Sequence, residues 1–425
     1  MREELFHYIW KYQLFEKTNL TTEDGSVLEI LHQGNLNTDA GPDFANAKIR
    51  IGKIILAGNI EVHVKNTDWE IHKHQLDPSY NNTILHVVFE TSKPTTLLQN
   101  GNEIPILTLK NRVEKSLLIR YESLQTIKKD IPCALVINKI EHDFKIENFL
   151  ERITIERLEN KVAYINELLI NSNNDWEQVT FQMVTKYFGT SVNKEPFFML
   201  ASSIPISVIY KHQQDSKQIE ALLLGQAGFL DREFDDEYPK ALKREYYYLK
   251  KLHQLTHSNQ SLWKFLRLRP SNFPTIRLSQ LASLLSRTEK LFSSILAAES
   301  ITQLRKLFEV QANSYFETHY VFDKQVKTKS SKTGNMNIDI ILINAIIPIL
   351  FAFGKYKDNE EYCDRAAQFL SQIIGERNAI IKQMTTYGFK TNTAYQTQGI
   401  LELRTNYCDK KRCLSCAIGH KILSI

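Results

Sequence analysis

The run IILAGNIEVHVK (residues 54–65) is rich in β-branched residues and apolar along most of its length, which predicts a strand. Successive strand side chains alternate between faces, so Glu61, His63 and Lys65 share one face. Three ionisable groups in a row on an apolar strand are costly to bury without partners, which makes that face a candidate site. Outward from it, VLEILHQ (27–33), ANAKIRI (45–51) and TILHVVFE (83–90) read as further strands. Turn formers separate them: Glu23-Asp24-Gly25, Asp39-Ala40-Gly41-Pro42, and Asp77-Pro78 through Asn82. At the start of the chain Leu5, Ile9 and Tyr12 recur at helical spacing. The expected order is helix, several strands, a short helix or loop, then more strand.

Beyond about residue 140 the hydrophobic period becomes helical. In FLERITIERLENKVAYINELLI (149–170), Leu150, Ile153, Leu158, Val162, Ile165 and Leu169 fall near one face. Similar periods run through 175–188, 217–224, 239–255, 278–296, 301–312 and 338–353, with further candidates over 360–374 and 375–387. Breaks are expected around 190–196, 268–276 and 327–337, the last a basic, polar, flexible loop. The fold class is therefore α+β. A mixed β-sheet domain with few helices (1–140) carries the candidate site, and a larger all-helical domain (141–425) ends in a cysteine cluster.

Of the 425 residues 43% are hydrophobic and 24% charged, which excludes a disordered or fibrous chain. Fifty-three basic residues against 48 acidic ones leave a net charge of +5, permitting a polyanionic partner without demanding one. The cysteines are Cys133, Cys363, Cys408, Cys413 and Cys416, an odd set that does not suit a secreted disulfide scaffold. The opening MREELFHYIWKYQLF lacks the apolar core of a signal peptide. The most apolar stretch, 338–353, reads as a buried helix too short to span a bilayer. A soluble cytoplasmic protein without a membrane partner is expected.

Around the strand lie Asp43 upstream, in a Gly41-Pro42-Asp43-Phe44 turn, and Asp68, Trp69, His72, His74, Asp77 and His86 downstream. His63, His72, His74 and His86, with Glu61 or Asp77, offer nitrogen and oxygen ligands enough for zinc or manganese. His72 and His74 share a face only if their segment is extended, because helical positions two apart diverge by about 200°. His86, inside the apolar run ILHVV, reads as a hydrogen-bonded core histidine.

The tail NYCDKKRCLSCAIGHKIL carries Cys408, Cys413, Cys416 and His420 in a C-x4-C-x2-C-x3-H pattern suited to a zinc knuckle. Lys410, Lys411 and Arg412 are expected to help keep its thiols ionised. With Cys363 or Cys133 as a fourth ligand, the same thiols suit an iron–sulfur cluster. The plain alternative is a set of reduced, partly buried thiols, and Cys133 by itself reads as core. Residues 263–277, WKFLRLRPSNFPTIR, interleave Trp263, Phe265 and Phe273 with Lys264, Arg267, Arg269 and Arg277. Arg267, Arg269 and Arg277 are candidate nucleic-acid contacts, although a helix end with arginine stems lying over apolar surface looks the same.

The segments GPDFANAKI, GNIEVHVKNTDWEIHKHQLDPSYNNTILHVV, IEALLLGQAGFL, WKFLRLRPSNFPTIRL and YCDKKRCLSCAIG resemble an uncharacterised bacterial family known only as a domain of unknown function. That resemblance runs over nearly the whole chain and implies little about activity. Separately, roughly the first 95 residues are similar to the PD-(D/E)xK nuclease-like fold. That second resemblance implies Mg²⁺ or Mn²⁺ held by Asp43 and Glu61 beside a scissile phosphate, with Lys65 or His63 positioning the attacking water or the phosphate. The position two after Glu61 is His63 rather than Lys, and Lys65 lies two further on, so the signature is incomplete. The leading expectation is a metal-dependent phosphodiester hydrolase acting on nucleic acid. The alternative is a non-catalytic helical scaffold with a structural metal site.

Overall fold

The alternating runs of the first part become strands of one sheet. In the computed structural model, residues 1–127, 130–140, 143–256 and 262–424 are described. Helix α1 (Glu3–Tyr12) is followed by β1 (Leu28–His32), β2 (Asn35–Leu36), β3 (Phe44–Ile51) and β4 (Ile54–Lys65). Then come α2 (Asp68–Ile71), β5 (Thr83–Glu90), β6 (Thr95–Leu97), β7 (Glu103–Thr108) and α3 (Lys115–Thr126). The sheet order is β1-β3-β4-β5-β7-β6, with β2 paired to β3. β3 and β4 form a tight antiparallel hairpin in which Ile51 faces Ile54, and Gly52 takes the left-handed backbone (φ +57°) at the turn. β4, β5 and β7 are mutually parallel, so the sheet is mixed. On α1 Leu5 and Ile9 of the expected stripe are buried together with Phe6, Tyr8 and Trp10, whereas Tyr12 is exposed.

The chain divides into two compact units, one of residues 1–149 together with 404–425, the other of 150–403. The division therefore falls at 149/150 rather than 140. The cysteine tail, expected as the end of the helical domain, packs into the unit that holds the sheet. Contacts far apart in sequence make this so: Lys421 pairs with Asp143 at 3.0 Å, Arg404 with Asp130 at 3.9 Å, and Lys411 donates to the carbonyl of Gln125.

Among the described residues, the regular structure of the second unit is helical apart from a small two-stranded ribbon, His319–Val321 with Lys324–Gln325. Its helices begin and end close to the expected ranges, for example Trp176–Phe188, Ser216–Gln226 and Glu237–His253. Three expectations change. The break at 190–196 is instead a helix, Thr190–Ser203, which runs through Pro196. Phe197, Leu200 and Ala201 bury from it, and the Asn193 amide both donates to and accepts from the Lys264 backbone at 2.8 Å. The segment 327–337 is pinned rather than loose: the Gln280 side chain donates to Ser331 O, and Thr333 N–H donates to Val310 O. The apolar stretch extends to Asn335–Lys357, a helix with a π-turn at Leu342–Ile346. By length and composition it is sufficient to cross a membrane, yet 67% of its most apolar window is buried inside the protein.

Candidate metal centre

β4 presents Glu61 and His63 on one face, and its parallel pairing with β5 sets His86 in register with Glu61. Parallel neighbours need a crossover. Residues 66–82 supply it, carrying α2 and two short 3-10 turns, His74–Leu76 and Pro78–Tyr80, back over the sheet. Trp69 anchors the crossover: it is buried among Tyr80, Leu98 and Ile104, and its indole donates to Leu97 O at 3.2 Å. Asp77 caps the second turn by accepting from Ser79 N–H, which accounts for it without a metal. Between His72 and His74, Lys73 adopts the left-handed backbone (φ +63°, ψ +30°). One such residue offsets the divergence that helical spacing would impose, and both rings end about equally far from His63, centroids 5.1 and 5.3 Å away.

Ligand atoms of His63, His72 and His74 lie within 4.8 Å of one another. His72 Nδ1 is 3.2 Å from His63 Nε2. Glu61 Oε1 stands 3.5 Å from His63 Nε2 and 3.3 Å from His74 Nε2. Ligands roughly 2.0–2.1 Å from a tetrahedral zinc ion stand about 3.3–3.4 Å apart, the separation these pairs show. His74 Nε2 is buried and makes no hydrogen bond, although the Glu61 oxygen is near. A buried nitrogen without a partner is unusual, and this one faces the Glu61 oxygen across 3.3 Å.

Behind these groups stands a hydrogen-bonded support. His63 Nδ1 meets His86 Nε2 at 2.9 Å, and His86 Nδ1 meets Thr96 Oγ1 at 2.8 Å. Assigned from this pattern, each Nδ1–H donates outward and leaves His63 Nε2 as a lone pair facing Glu61 and His72. His86 is thus the hydrogen-bonded core residue that its sequence context suggested, and it also fixes the His63 ring. Asp43 grips Glu61 from the other side. Asp43 N–H donates to Glu61 Oε2 at 2.9 Å, and Val62 N–H donates to Asp43 Oδ2 at 3.0 Å. The carboxylate of Asp43 also lies 3.3 Å from His7 Nε2. His7, on α1, went unnoticed in the sequence; its one signal was a polar residue between the buried positions Phe6 and Tyr8.

Burial pushes the Glu61 carboxyl up to about 9, and the charge of Asp43 adds to the shift. Burial pushes His63 down to about 2, with His86 contributing, and His86 itself down to about 3. His74 is lowered too, by burial and then by His72. His7 moves the other way: burial opposes its charge, but the hydrogen bond and charge of Asp43 outweigh that and raise it. His63, His74 and His86 are therefore held as neutral imidazoles, the protonation state that binds metals.

The other candidates are not brought together with these. Lys65 is exposed, its N–H donates to Asp68 Oδ2 at 2.9 Å, and its charge acts on Glu90. Arg267 and Arg269 are exposed in the second unit, but Arg277 is 1% exposed. Its guanidinium donates to Phe188 O at 2.9 Å and Gln280 Oε1 at 2.7 Å and lies over the Phe188 ring, so no polyanion reaches it. Cys133, Cys413 and Cys416 are buried and Cys408 half-buried, and none is in a disulfide. The expected ionised thiols are not found: burial pushes Cys133 and Cys413 up to about 12, and the Lys411 charge does not reverse it. Lys410, Lys411 and Arg412 line a cleft of about 670 Å³ instead, together with Arg2, Lys11 and His7. His420 packs edge-on against Tyr8 and Tyr12, ring centroids 4.8 and 4.4 Å away.

No curated protein and no solved structure matches this chain, so the nuclease-like resemblance gains no support from known proteins. A family model does match, over residues 3–379, which leaves the cysteine tail outside the matched region. The chain accordingly belongs to the family described as Protein of unknown function (DUF2851).

Proposed function

We propose that the sheet-bearing unit is a metal-dependent hydrolase and that its substrate is a phosphodiester of nucleic acid. The observation that carries the reading is the convergence of His63, His72, His74 and Glu61 at ligand-to-ligand separations. An imidazole-rich set suits zinc or manganese better than magnesium. Such an ion would supply a water of lowered pKa and charge to offset that on a phosphoryl group. His72 is exposed whereas His63 and Glu61 are buried, so one side of the cluster meets solvent, as a site that admits substrate requires. The basic cleft supports the polyanionic substrate. It is lined by Arg2, Lys11, Lys410, Lys411 and Arg412 against Glu4 and Asp409, and it reaches His7, which touches Asp43 behind Glu61.

A second reading, a structural metal site in a non-catalytic protein, is favoured by the nearly dry environment of Glu61, His63 and His86, each at most 3% exposed. One experiment separates the two. Cleavage of single- and double-stranded DNA and RNA is assayed with added Zn²⁺ or Mn²⁺, alongside Glu61→Gln and His74→Ala. Metal-dependent cleavage lost in both variants is expected. No cleavage above the Glu61→Gln control, with metal removal lowering the melting temperature, would favour the structural reading.

A further inference from the structure

The basic cleft of the sheet-bearing unit holds an aromatic ring among its charges. Residues four apart on a helix are neighbours, so Tyr8 and Tyr12 of α1 stand on one face, with ring centroids 4.8 Å apart. His420, from the helix Ala417–Leu423, closes against both at 4.8 and 4.4 Å. Tyr8 is left 5% exposed, but Tyr12 is 44% exposed where it lines the cleft. A ring fixed by its neighbours with nearly half its surface wet is a platform on which a second flat ring can stack. Lys11 Nζ lies 5.4 Å from the centroid of that ring.

The charges around Tyr12 suit a polyanion. Arg2, Lys11, Lys410 and Arg412 are all exposed along the cleft. The lining carboxylates are Glu4 and Asp409, and the charge of Asp409 is offset by Arg404 at 2.9 Å. Lys411 is engaged in the wall itself, donating to Gln125 O. The volume of about 670 Å³ is that of a small-molecule site. A splayed nucleotide fits such a space and a double helix does not. A duplex would also present only its phosphates, because its bases are stacked inside.

We infer that the cleft binds single-stranded nucleic acid, with a base stacked on Tyr12 and the neighbouring phosphates on Lys11, Lys410 and Arg412. The inference rests on the hydrolase reading and narrows its substrate to a single strand. A nucleotide carries its base and its phosphate on one sugar, so a cation beside a stacking ring meets both. Every base has a flat face, so the cleft selects for strandedness and not for sequence. It adjoins the metal centre through His7, which lines it and lies 3.3 Å from the Asp43 carboxylate.

The test is fluorescence anisotropy of a labelled oligonucleotide with the full chain, as single-stranded DNA, as single-stranded RNA and as the DNA duplex of the same sequence. A chelator is present throughout, so that binding is read without cleavage. Both single strands are expected to bind about tenfold or more tighter than the duplex, and Tyr12→Ala to weaken them about tenfold. Tyr12→Phe keeps the ring and should bind as the unsubstituted chain does. Lys410→Ala should lower the salt slope by roughly one contact's worth, whereas Tyr12→Ala leaves the slope unchanged. Should Tyr12→Ala fail to fold, Tyr12→Leu retains bulk against Tyr8 and His420 without a flat face, and should bind as weakly. A duplex bound as tightly as the single strands overturns the inference, as does undiminished binding in Tyr12→Leu or no binding to any of the three. The two readings fail separately: no metal-dependent cleavage with this binding intact removes the hydrolase alone, and cleavage of duplex without single-strand preference removes the inference alone.

Discussion

At the scale of single residues, Lys73 does the most to make the site. Its left-handed backbone turns His72 and His74 to the same side, a conformation that costs a non-glycine residue roughly 1–2 kcal/mol. Lys73→Gly should keep metal affinity and raise stability by up to about 1 kcal/mol. Lys73→Val should lose both; urea unfolding and titration with Zn²⁺ read the two effects. Glu61 governs the pH dependence. Its metal-free carboxyl is raised to about 9, so at neutral pH an entering ion must displace its proton, and apparent affinity should rise with pH up to that value. For metal-free folding the sign is opposite: a raised carboxyl stabilises below its unfolded value near 4.5 and loses that contribution as pH climbs toward 9. His63 is depressed, so its contribution is present above 6.5 and lost as pH falls toward 2. Calorimetry in buffers of different ionisation enthalpy should show a proton released by the unsubstituted chain that Glu61→Gln does not release. An equal release from both would refute the assignment.

At the scale of elements, the support behind the ligands should matter nearly as much as the ligands. His86→Phe removes the partner of His63 Nδ1 and should weaken metal binding by about 10–100-fold while leaving the sheet intact. The strands themselves were legible: β3, β4 and β5 lie within a residue of the β-branched runs set off by turn formers, although only β3 buries at period two, β4 and β5 being buried on both faces through their middles. What alternation does not encode is the order in which strands pair. That β4 runs parallel to β5 is what forces the crossover over Glu61, and only then do His72 and His74 meet His63. Asp43 and Glu61, expected as paired ligands, are neighbours, but through Asp43 N–H donating to Glu61 Oε2 while the Asp43 carboxylate accepts from Val62 N–H. Arg277 shows the opposite limit, since its spacing fits a basic face and a helix interior equally well. Arg277→Ala should cost about 2 kcal/mol or more by removing the donor to Phe188 O and to Gln280 Oε1, with nucleic-acid affinity unchanged.

At the scale of the whole molecule, the net charge of +5 matters less than where the basic residues gather. The sequence pointed to 263–277, yet the cleft in the sheet-bearing unit is lined from α1 and the tail. Nothing local announces that juxtaposition, because it joins residues some four hundred positions apart. Reversing two of its charges, Lys410→Glu with Arg412→Glu, should weaken binding of a DNA oligonucleotide and reduce its salt dependence by roughly two contacts' worth. Unchanged affinity and slope would remove the cleft from the proposal. The return of the tail to the sheet-bearing unit was illegible for the same reason.

The central claim is that His63, His72, His74 and Glu61 hold one divalent ion. X-ray absorption at the metal edge of the loaded chain tests it most directly. The account predicts a single bound ion with only nitrogen and oxygen neighbours at about 2.0–2.1 Å and imidazole multiple scattering, abolished by His74→Ala. A chain that holds no ion under these conditions, or holds it undiminished in His74→Ala, would contradict it.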